Sequence, residues 1–334
     1  MDPRIVDRLR CPVCGEPLGQ ATDTRALRCP RRHSFDIARQ GYVNLLAGRA
    51  PHVGDTAEMV AARADFLAAG HYDVISGALA DAATQAAARL RATAAPPPGP
   101  PPPALCSAST DATATGPNCC VGVSRAKDPT AEVRVDPTAP GFGAYPLVVD
   151  AGAGTGRYLG AVLAALPDAV GLALDVSKPA LRRAARAHPR AAAALADTWQ
   201  RLPLADASTA VLLNVFAPRN GPEFHRVLDP AGTLLVVTPD TDHLTELVDA
   251  LDLLRVDPDK ADRVAGSLGG HFTPVSSAVH RAELALHRAE AASLVGMGPS
   301  AWHTDPGALA ARLAALPEPV RVTVAVRVDA YRPR

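Results

Sequence analysis

The amino-acid sequence predicts an α/β fold, in which helices cover both faces of a mostly parallel sheet, preceded by a small N-terminal metal-binding module. Three observations lead to this prediction. Strand-like and helix-like segments alternate in the second half of the chain, a glycine-rich turn follows the first of these strands, and cysteines crowd the N-terminus. The composition, with 48% apolar and 20% charged residues over 334 positions, is typical of a globular protein.

Charge and hydropathy exclude several classes of protein. The formal net charge is +0, so no overall positive field attracts nucleic acid, and such a partner has to be bound by local basic patches. No apolar run reaches the about 18 residues that suggest a membrane-spanning helix. Residues 1–10 are charged and lack the apolar segment of a secretion signal, so we expect a cytoplasmic protein that does not bind membranes.

The N-terminal cysteines have the spacing of a zinc site. Cys11-Pro-Val-Cys14 and Cys29-Pro-Arg-Arg-His33 form two short pairs, which can converge from two turns on one tetrahedral ion. We therefore predict one structural Zn²⁺ bound by Cys11, Cys14, Cys29 and His33, with no open position for chemistry. The alternatives are two pairs of free thiols beside a surface histidine, or a redox pair, for which the βαβ context is missing.

Residues 1–50 form the predicted zinc-binding module, and basic residues outnumber acidic ones there. Such an excess suits contacts with phosphates, so we expect an RNA-recognition role, although an ordinary solvated face is an equal alternative. The arginines concerned are Arg4, Arg8, Arg10, Arg25, Arg28, Arg31, Arg32, Arg39 and Arg49.

A helical connector is predicted over residues 51–94. Asp55 and Glu58 resemble a capping box at its start. One helical face then carries Met59, Val60, Arg63, Phe66 and Leu67.

Residues 95–140 are predicted to be a flexible insertion rich in Pro and Ala. Prolines dominate residues 96–103, and the following segment has too few large apolar side chains to offset the entropy of ordering. The cysteines of this segment, Cys106, Cys119 and Cys120, are expected to be incidental thiols, because a second metal site would need a matching second pair.

Residues 141–334 have the pattern of a sheet domain. Apolar strands are predicted at 146–150, 170–175, 209–215 and 232–238. Helices are predicted between the first strands, one ending before Pro167 and one running through 188. A final strand with one polar face follows from the alternation of Val320, Val322, Val324, Val326 and Val328.

The glycine-rich turn follows the first predicted strand in Leu147-Val-Val-Asp150-Ala-Gly152-Ala-Gly154-Thr-Gly156. Glycines at the carboxyl end of a strand let a ligand approach the backbone. The dinucleotide pattern G-x-G-x-x-G fails because position 157 is Arg. Asp150 before the glycines is more typical of an S-adenosylmethionine site, where an acid attracts the positive sulfonium and amino groups.

Two further acids support this interpretation. Asp175 ends the second predicted strand and can accept hydrogen bonds from ribose hydroxyls, and Asp197 closes a third strand beside the adenine. Because three acids follow three consecutive strands, we predict a Rossmann-like class I methyltransferase sheet rather than a dehydrogenase. The predicted cofactor residues are Asp150, Gly152, Gly154, Gly156, Asp175 and Asp197.

The loop after the fourth predicted strand, Asn214-Val-Phe-Ala-Pro218-Arg219, faces the transferable methyl in this architecture. Asn214 is our candidate for positioning a base, and Phe216 can stack on it or belong to the core. A basic stretch between Lys178 and Arg190 can follow RNA phosphates or be a solvated outer helix.

A zinc cluster, a helical connector and a methyltransferase core follow one another in this chain. In this order the sequence resembles the ribosomal RNA large-subunit methyltransferase A family, whose members are guanine-N1 methyltransferases. The resemblance rests on the zinc cluster and on His33-Ser-Phe-Asp36, Gly41-Tyr-Val-Asn-Leu-Leu46, Ala57-Glu-Met59, Phe66-Leu-Ala-Ala-Gly70-His71-Tyr72, Val148-Val-Asp-Ala-Gly-Ala-Gly154, Leu174-Asp-Val-Ser-Lys178, Asn214-Val-Phe-Ala-Pro218 and Met297-Gly-Pro-Ser-Ala-Trp302. Within the family, Asn214–Asn220, Thr233–Asp240 and Met297–His303 are most similar to the actinomycete branch that confers resistance to macrolides of the tylosin and mycinamicin type.

The resemblance implies an enzyme that methylates N1 of a guanosine in a hairpin loop of 23S ribosomal RNA, using S-adenosylmethionine and one structural Zn²⁺. The expected partner is this RNA, and a homodimer is an open alternative to a monomer. Two rival functions are a small-molecule methyltransferase of antibiotic biosynthesis, which needs no zinc module, and a non-enzymatic zinc and RNA-binding protein, which needs no acids at three strand ends.

Overall fold

The structure is a computed structural model that describes residues 1–48, 54–94, 146–257, 259–297 and 306–334. The Pro/Ala-rich segment 95–140 with its three cysteines, and residues 298–305 with Trp302 and His303, lie outside the described residues. Within the described ranges, no helix is long and apolar enough to cross a membrane.

Eight of the described strands form one mixed sheet. They are β4 (Tyr42–Asn44), β5 (Leu147–Ala151), β6 (Val170–Asp175), β7 (Ala191–Leu195), β8 (Thr209–Val215), β9 (Leu228–Pro239), β10 (Phe272–Leu286) and β11 (Val320–Pro333). Their order across the sheet is β10-β11-β9-β8-β5-β6-β7-β4. The six strands from β4 to β9 pair in parallel, and β10 and β11 run antiparallel to their neighbours at one edge. The predicted class I methyltransferase fold is confirmed by this topology, in which the strand order reverses beside β5.

Apolar runs form the central strands because both faces of the sheet are covered. Every residue of β5 and β8 is buried, as expected for parallel strands between helical layers. The covering helices are α4 (Arg157–Ala165), α5 (Lys178–Ala184), α6 (Gly221–Val227), α7 (Thr245–Leu251), α8 (Lys260–Leu268), α9 (Arg288–Gly296) and α10 (Pro306–Ala314).

Helix α5 is shorter than predicted. Its first turn is capped by the Ser177 hydroxyl, which accepts a hydrogen bond from the Ala180 N–H, and Ala185 caps its end. The prediction of a helix through residue 188 was therefore wrong. Arg190, the last residue of the basic stretch, donates from its guanidinium to the carbonyls of Leu163, Leu166 and Ala169. Its guanidinium therefore caps the carboxyl end of α4.

The edge pair β10 and β11 was only half predicted. The alternating valines form β11, which extends beyond Val328 to Pro333. The long strand β10 escaped prediction because most of its residues face solvent, and polar residues break up its apolar ones. The two strands form an antiparallel hairpin across the edge, interrupted by α9 and α10.

The connector consists of two helices, α2 (Ala57–Ala68) and α3 (Asp73–Ala94). The turn between them contains Gly70, whose φ of +86° is readily adopted only by glycine. The N-cap of α2 is Thr56, whose hydroxyl accepts a hydrogen bond from the Met59 N–H at 3.3 Å. The predicted capping role of Asp55 was therefore wrong, since Asp55 instead forms an ion pair with Arg63.

The N-terminal segment packs directly on the sheet domain. After α1 (Pro3–Val6), the short strands β1 (Gly19–Gln20), β2 (Ala26–Arg28) and β3 (Ser34–Asp36) form a three-stranded sheet in the described chain. Strand β4 then pairs in parallel with β7. Apolar side chains from both parts form one buried cluster, in which Ile5 and Leu9 join Leu172 and Leu174.

Candidate cofactor cavity and metal centre

The four side chains predicted to bind zinc come together in the structure. Their ligand atoms all lie within 4.8 Å of one another. Cys14 Sγ is 3.7 Å from Cys29 Sγ, and His33 Nδ1 is 3.3 Å from Cys29 Sγ and 3.5 Å from Cys11 Sγ. A tetrahedral Zn²⁺ with Zn–S bonds of about 2.3 Å needs sulfur atoms about 3.8 Å apart. Cys11, Cys14, Cys29 and His33 are thus positioned to bind one metal ion.

Two tight turns present these ligands. Gly15, at φ +76°, donates its N–H to the Cys11 carbonyl at 2.8 Å, and Arg32, at φ +66°, donates to the Cys29 carbonyl at 2.9 Å. Both turns need a residue with backbone angles in the left-handed region. This conformation is higher in energy for Arg32 than for Gly15, because arginine has a Cβ. An ion that fixes both turns offsets this cost.

A cavity of about 1000 Å³ lies at the carboxyl ends of the parallel strands. The residues after β5, β6, β7 and β8 form its floor, and the connector covers it through Arg63, Leu67 and Tyr72 of the segment from α2 to the start of α3. Ligands of open α/β sheets bind in this position, where the strand order reverses.

The glycine-rich turn brings its backbone close to the cavity. Gly152, Gly154 and Gly156 have φ values of +87°, +53° and +78°, which only glycine adopts readily. A Cβ on Gly152 would lie 2.5 Å from the Ala217 Cβ, and one on Gly156 would lie 2.8 Å from the Ala184 Cα. The turn therefore has no room for side chains at either position.

Asp175 lies at the end of β6 and lines the cavity. Its two carboxylate oxygens accept hydrogen bonds from the backbone N–H groups of Gly154 at 2.8 Å and Ser177 at 2.7 Å. Burial raises the pKa of Asp175, although these two hydrogen bonds oppose the rise. Each oxygen has a second lone pair, so the carboxylate can still accept hydroxyl donors.

Asp197 lies just beyond β7 on the same edge. Its Oδ1 accepts a hydrogen bond from the Trp199 N–H at 2.9 Å, and its buried Oδ2 has no hydrogen-bond partner in the described structure. The Trp199 residue lines the cavity and is 53% exposed. A buried acceptor beside an exposed indole fits a planar heterocycle with an amino group.

Asp150, the third predicted acid, lies beneath the cavity and not in its wall. It is 1% exposed, and neither carboxylate oxygen has a hydrogen-bond partner among the described residues. Burial and the neighbouring charge of Asp175 raise the pKa of Asp150 to about 8. A positive ligand above the turn would favour its ionised form.

Asn214 is fully buried at the end of β8. Its Nδ2 donates to the carbonyls of Ala151 at 3.2 Å and Pro218 at 2.8 Å. These bonds tie the loop after β8 to the end of β5. The side chain therefore shapes the loop that follows it and does not line the cavity.

An aromatic group forms one end of the cavity. Tyr72, Phe216 and His243 come from three separate segments, and their ring centroids lie 6.1–6.5 Å apart. Phe216 is 43% exposed and has a φ of +51°, so the structure excludes the alternative that it is a core residue. A backbone held in the left-handed region at an exposed phenylalanine is typical of functional sites. His243 Nδ1 accepts a hydrogen bond from the Ala325 N–H at 3.3 Å, which orients the ring.

The sequence interpretation assigned no site role to Tyr72, His243 or Arg63. Tyr72 follows a helix break, and His243 lies between β9 and α7, where no pattern marks a site. Arg63 was noted only as part of a helical face. Arg63 lines the cavity. The one local sign of this in the sequence is a charged residue on an otherwise apolar helix face.

The topology, the glycine turn and the acid-lined cavity define a class I S-adenosylmethionine-dependent methyltransferase with an N-terminal zinc ribbon. Residues 9–50 match a zinc-ribbon family described as RlmA, N-terminal. Among solved structures, an S-adenosylmethionine-dependent methyltransferase from Geobacter sulfurreducens in complex with S-adenosyl-L-homocysteine is 15% identical. It covers 57% of this chain and 85% of its own, with a TM-score of 0.36.

Two relatives match along the full chain. A protein of Micromonospora griseorubida, provisionally assigned as a 23S rRNA (guanine-N(1)-)-methyltransferase, is 61% identical over 100% of both chains. The 23S rRNA (guanine(748)-N(1))-methyltransferase of Streptomyces fradiae is 44% identical over 100% of this chain and 99% of the relative. The chain belongs to the family of 23S rRNA (guanine-N1) methyltransferases.

Proposed function

We propose that this enzyme transfers the methyl group of S-adenosylmethionine to N1 of a guanosine in a hairpin loop of 23S ribosomal RNA, and that it thereby confers macrolide resistance. The main support for this proposal is a cavity with two chemically different ends. The end at β6 and β7 is acidic, and the other end is lined by Tyr72, Phe216 and His243. A cavity of about 1000 Å³ is at the upper end of ligand pockets, which leaves room for a cofactor and a base. The name of the Streptomyces fradiae relative supports the guanine target.

The acidic end suits the adenosine part of the cofactor. Asp197 Oδ2 would accept a hydrogen bond from the adenine amino group, and Trp199 would stack on the ring. Asp175 would accept hydrogen bonds from the ribose hydroxyls. Gly152, Gly154 and Gly156 would let the ligand lie against the backbone.

When bound, S-adenosylmethionine supplies a methyl group on a positively charged sulfur. Asp150 beneath the turn would then be favoured as a carboxylate, because a positive ligand lowers the pKa of a nearby acid. The exposed face of Phe216 would hold the guanine by stacking, in a base splayed out of its loop. Asn214 would position the base indirectly, since it holds the loop that carries Phe216.

The zinc module would contact the RNA backbone. Arg25, Arg32 and Arg39 are exposed on it and suit phosphate contacts. Arg4 pairs with Asp2, and Arg8 is buried, so these two arginines serve the fold. We place the enzyme in the cytoplasm, with a zinc-binding module at 1–50, a connector at 51–94, an insertion at 95–140 and the catalytic domain at 141–334.

Incubation with labelled S-adenosylmethionine and a transcript of the 23S rRNA hairpin tests this proposal. We expect N1-methylguanosine in the transcript and none when the target guanosine is replaced by adenosine. Phe216→Ala should slow methylation about 5- to 150-fold, since stacking on an aromatic side chain contributes about 1–3 kcal/mol. Val275→Ala is the matched control, because Val275 is 41% exposed outside the cavity. Label in small metabolites but not in RNA would instead favour an antibiotic-biosynthesis enzyme, and no label at all would favour a non-catalytic RNA-binding protein.

A further inference from the structure

The connector helix α2 places a cation over the glycine-rich turn. The heavy atom nearest to the Cβ position of Gly154 is Arg63 Nη1, at 3.6 Å. The Arg63 side chain is 25% exposed and lines the cavity. Its position over the turn is fixed by a second segment, since Nη2 donates to the Met297 carbonyl at 3.1 Å.

Arg63 differs from the other cations of the cavity. Of the described residues, four arginines line it: Arg63, Arg219, Arg255 and Arg263. Arg255 and Arg263 are 73% and 60% exposed and pair with Asp249 and Asp257. Arg63 is the one whose guanidinium approaches the glycine turn.

The position of Arg63 suits a ligand that carries a carboxylate. Asp175 and Asp197 line the edge of the cavity beyond β6 and β7, whereas the guanidinium of Arg63 lies over the glycine-rich turn. S-adenosylmethionine carries an amino-acid end with both an ammonium and a carboxylate. Adenosine at Asp175 and Asp197 would direct this end over Gly152 and towards Gly154.

Arg63 can bind a carboxylate without losing its present partners. A guanidinium has five N–H donors in a planar fork that matches a carboxylate. Within the described chain, the hydrogen bonds to Asp55 and Met297 occupy two of them. The pair with Asp55 is itself anchored to the cofactor edge, because the Ser177 hydroxyl donates to the Asp55 carbonyl at 2.8 Å.

We infer that Arg63, on the connector and outside the sheet domain, binds the carboxylate of the S-adenosylmethionine amino-acid end. This inference rests on the proposed cofactor site. It assigns the connector a direct part in cofactor recognition, since α2 closes the cavity and supplies the countercharge that the acidic edge lacks.

Calorimetric titration with two ligands tests the inference. S-adenosylmethionine carries the carboxylate, and decarboxylated S-adenosylmethionine lacks it but keeps the sulfonium, ribose and adenine. Arg63→Gln should weaken binding of S-adenosylmethionine about 10- to 100-fold. The same change should leave the affinity for the decarboxylated ligand within about twofold of wild type. Arg157→Gln is the matched control, since Arg157 pairs with Asp73 outside the cavity and should leave both affinities unchanged.

An equal loss of affinity for both ligands would overturn the inference, because it would show that Arg63 only maintains the shape of the cavity. Unchanged affinity for both would overturn it as well. If Arg63→Gln melts below the temperature of the assay, Arg63→Lys replaces it, and the loss should again be confined to S-adenosylmethionine. Failure of the wild-type protein to bind either ligand would refute the cofactor site itself, which separates that failure from the failure of the Arg63 assignment.

Discussion

Replacing Asp175 with alanine tests the cofactor-binding edge of the sheet. The carboxylate accepts N–H donors at 2.7 and 2.8 Å and keeps lone pairs for the two ribose hydroxyls. Hydrogen bonds to a charged acceptor contribute about 1.5–3 kcal/mol, so the dissociation constant for S-adenosylmethionine should rise about 10- to 150-fold. Loss of the acceptor for the N–H groups of Gly154 and Ser177 also destabilises the fold.

Titration calorimetry at a temperature where both proteins are folded measures this effect. Methylthioadenosine has the same ribose but no amino-acid end, and its affinity should fall by a similar factor. Asp168→Ala is the matched control, because Asp168 is 66% exposed and does not line the cavity. Dissociation constants for Asp175→Ala within twofold of wild type would refute the assignment of this carboxylate to the ribose.

Three further predictions concern pH, zinc and the insertion. The folded protein keeps Asp150 protonated up to about pH 8, whereas the unfolded carboxyl ionises near its ordinary pKa of 3.8. The contribution of this group to stability is therefore lost as the pH rises between these two values. The melting temperature of Asp150→Asn should exceed that of wild type near pH 8, and the two melting temperatures should converge near pH 4. Metal analysis should find about one zinc per chain, and Cys11→Ser should lose it and melt lower, because the module shares its core with the sheet. Replacing residues 96–140 with a short Gly/Ser linker should leave melting and methylation nearly unchanged, since loop closure depends weakly on length.

Each of these predictions has its own control. Asp168→Asn removes an exposed carboxyl and should not alter the pH dependence of melting; parallel melting curves for wild type and Asp150→Asn would contradict the buried acid. Cys106→Ser should retain full zinc, and full zinc in Cys11→Ser would exclude Cys11 as a ligand. A marked drop in melting temperature or RNA methylation after the linker replacement would show that the insertion contributes to the fold or to RNA binding.

The sequence predicts the central strands well because their burial on both faces leaves an unbroken apolar run. The edge strand β10 has no such signal, since its mostly solvent-facing residues form no continuous apolar run. The end of α5 at Ala184 and the cap at Thr56 depend on individual hydrogen bonds, which periodicity does not reveal. Local propensity therefore locates elements better than it locates their ends.

The candidate site divides in the same way. The zinc ligands and the acids at strand ends have fixed spacing along the chain, so the sequence alone predicts them. Tyr72, Phe216 and His243 meet only because three distant segments converge, and Arg63 reaches Gly154 across the packing of α2 on the sheet domain. Tertiary structure, not local pattern, brings these residues together.

Primer extension on ribosomal RNA from a macrolide-susceptible host that expresses the enzyme tests the central proposal most directly. N1-methylguanine cannot form a Watson–Crick pair, so reverse transcriptase should stop at one guanosine in a 23S hairpin loop. Tolerance to a macrolide of the tylosin or mycinamicin type should rise in the same cells, and Asp175→Ala should reduce both effects. A stop without increased tolerance would remove the resistance role, and uninterrupted extension through the hairpin by the expressed, folded enzyme would contradict the proposed reaction.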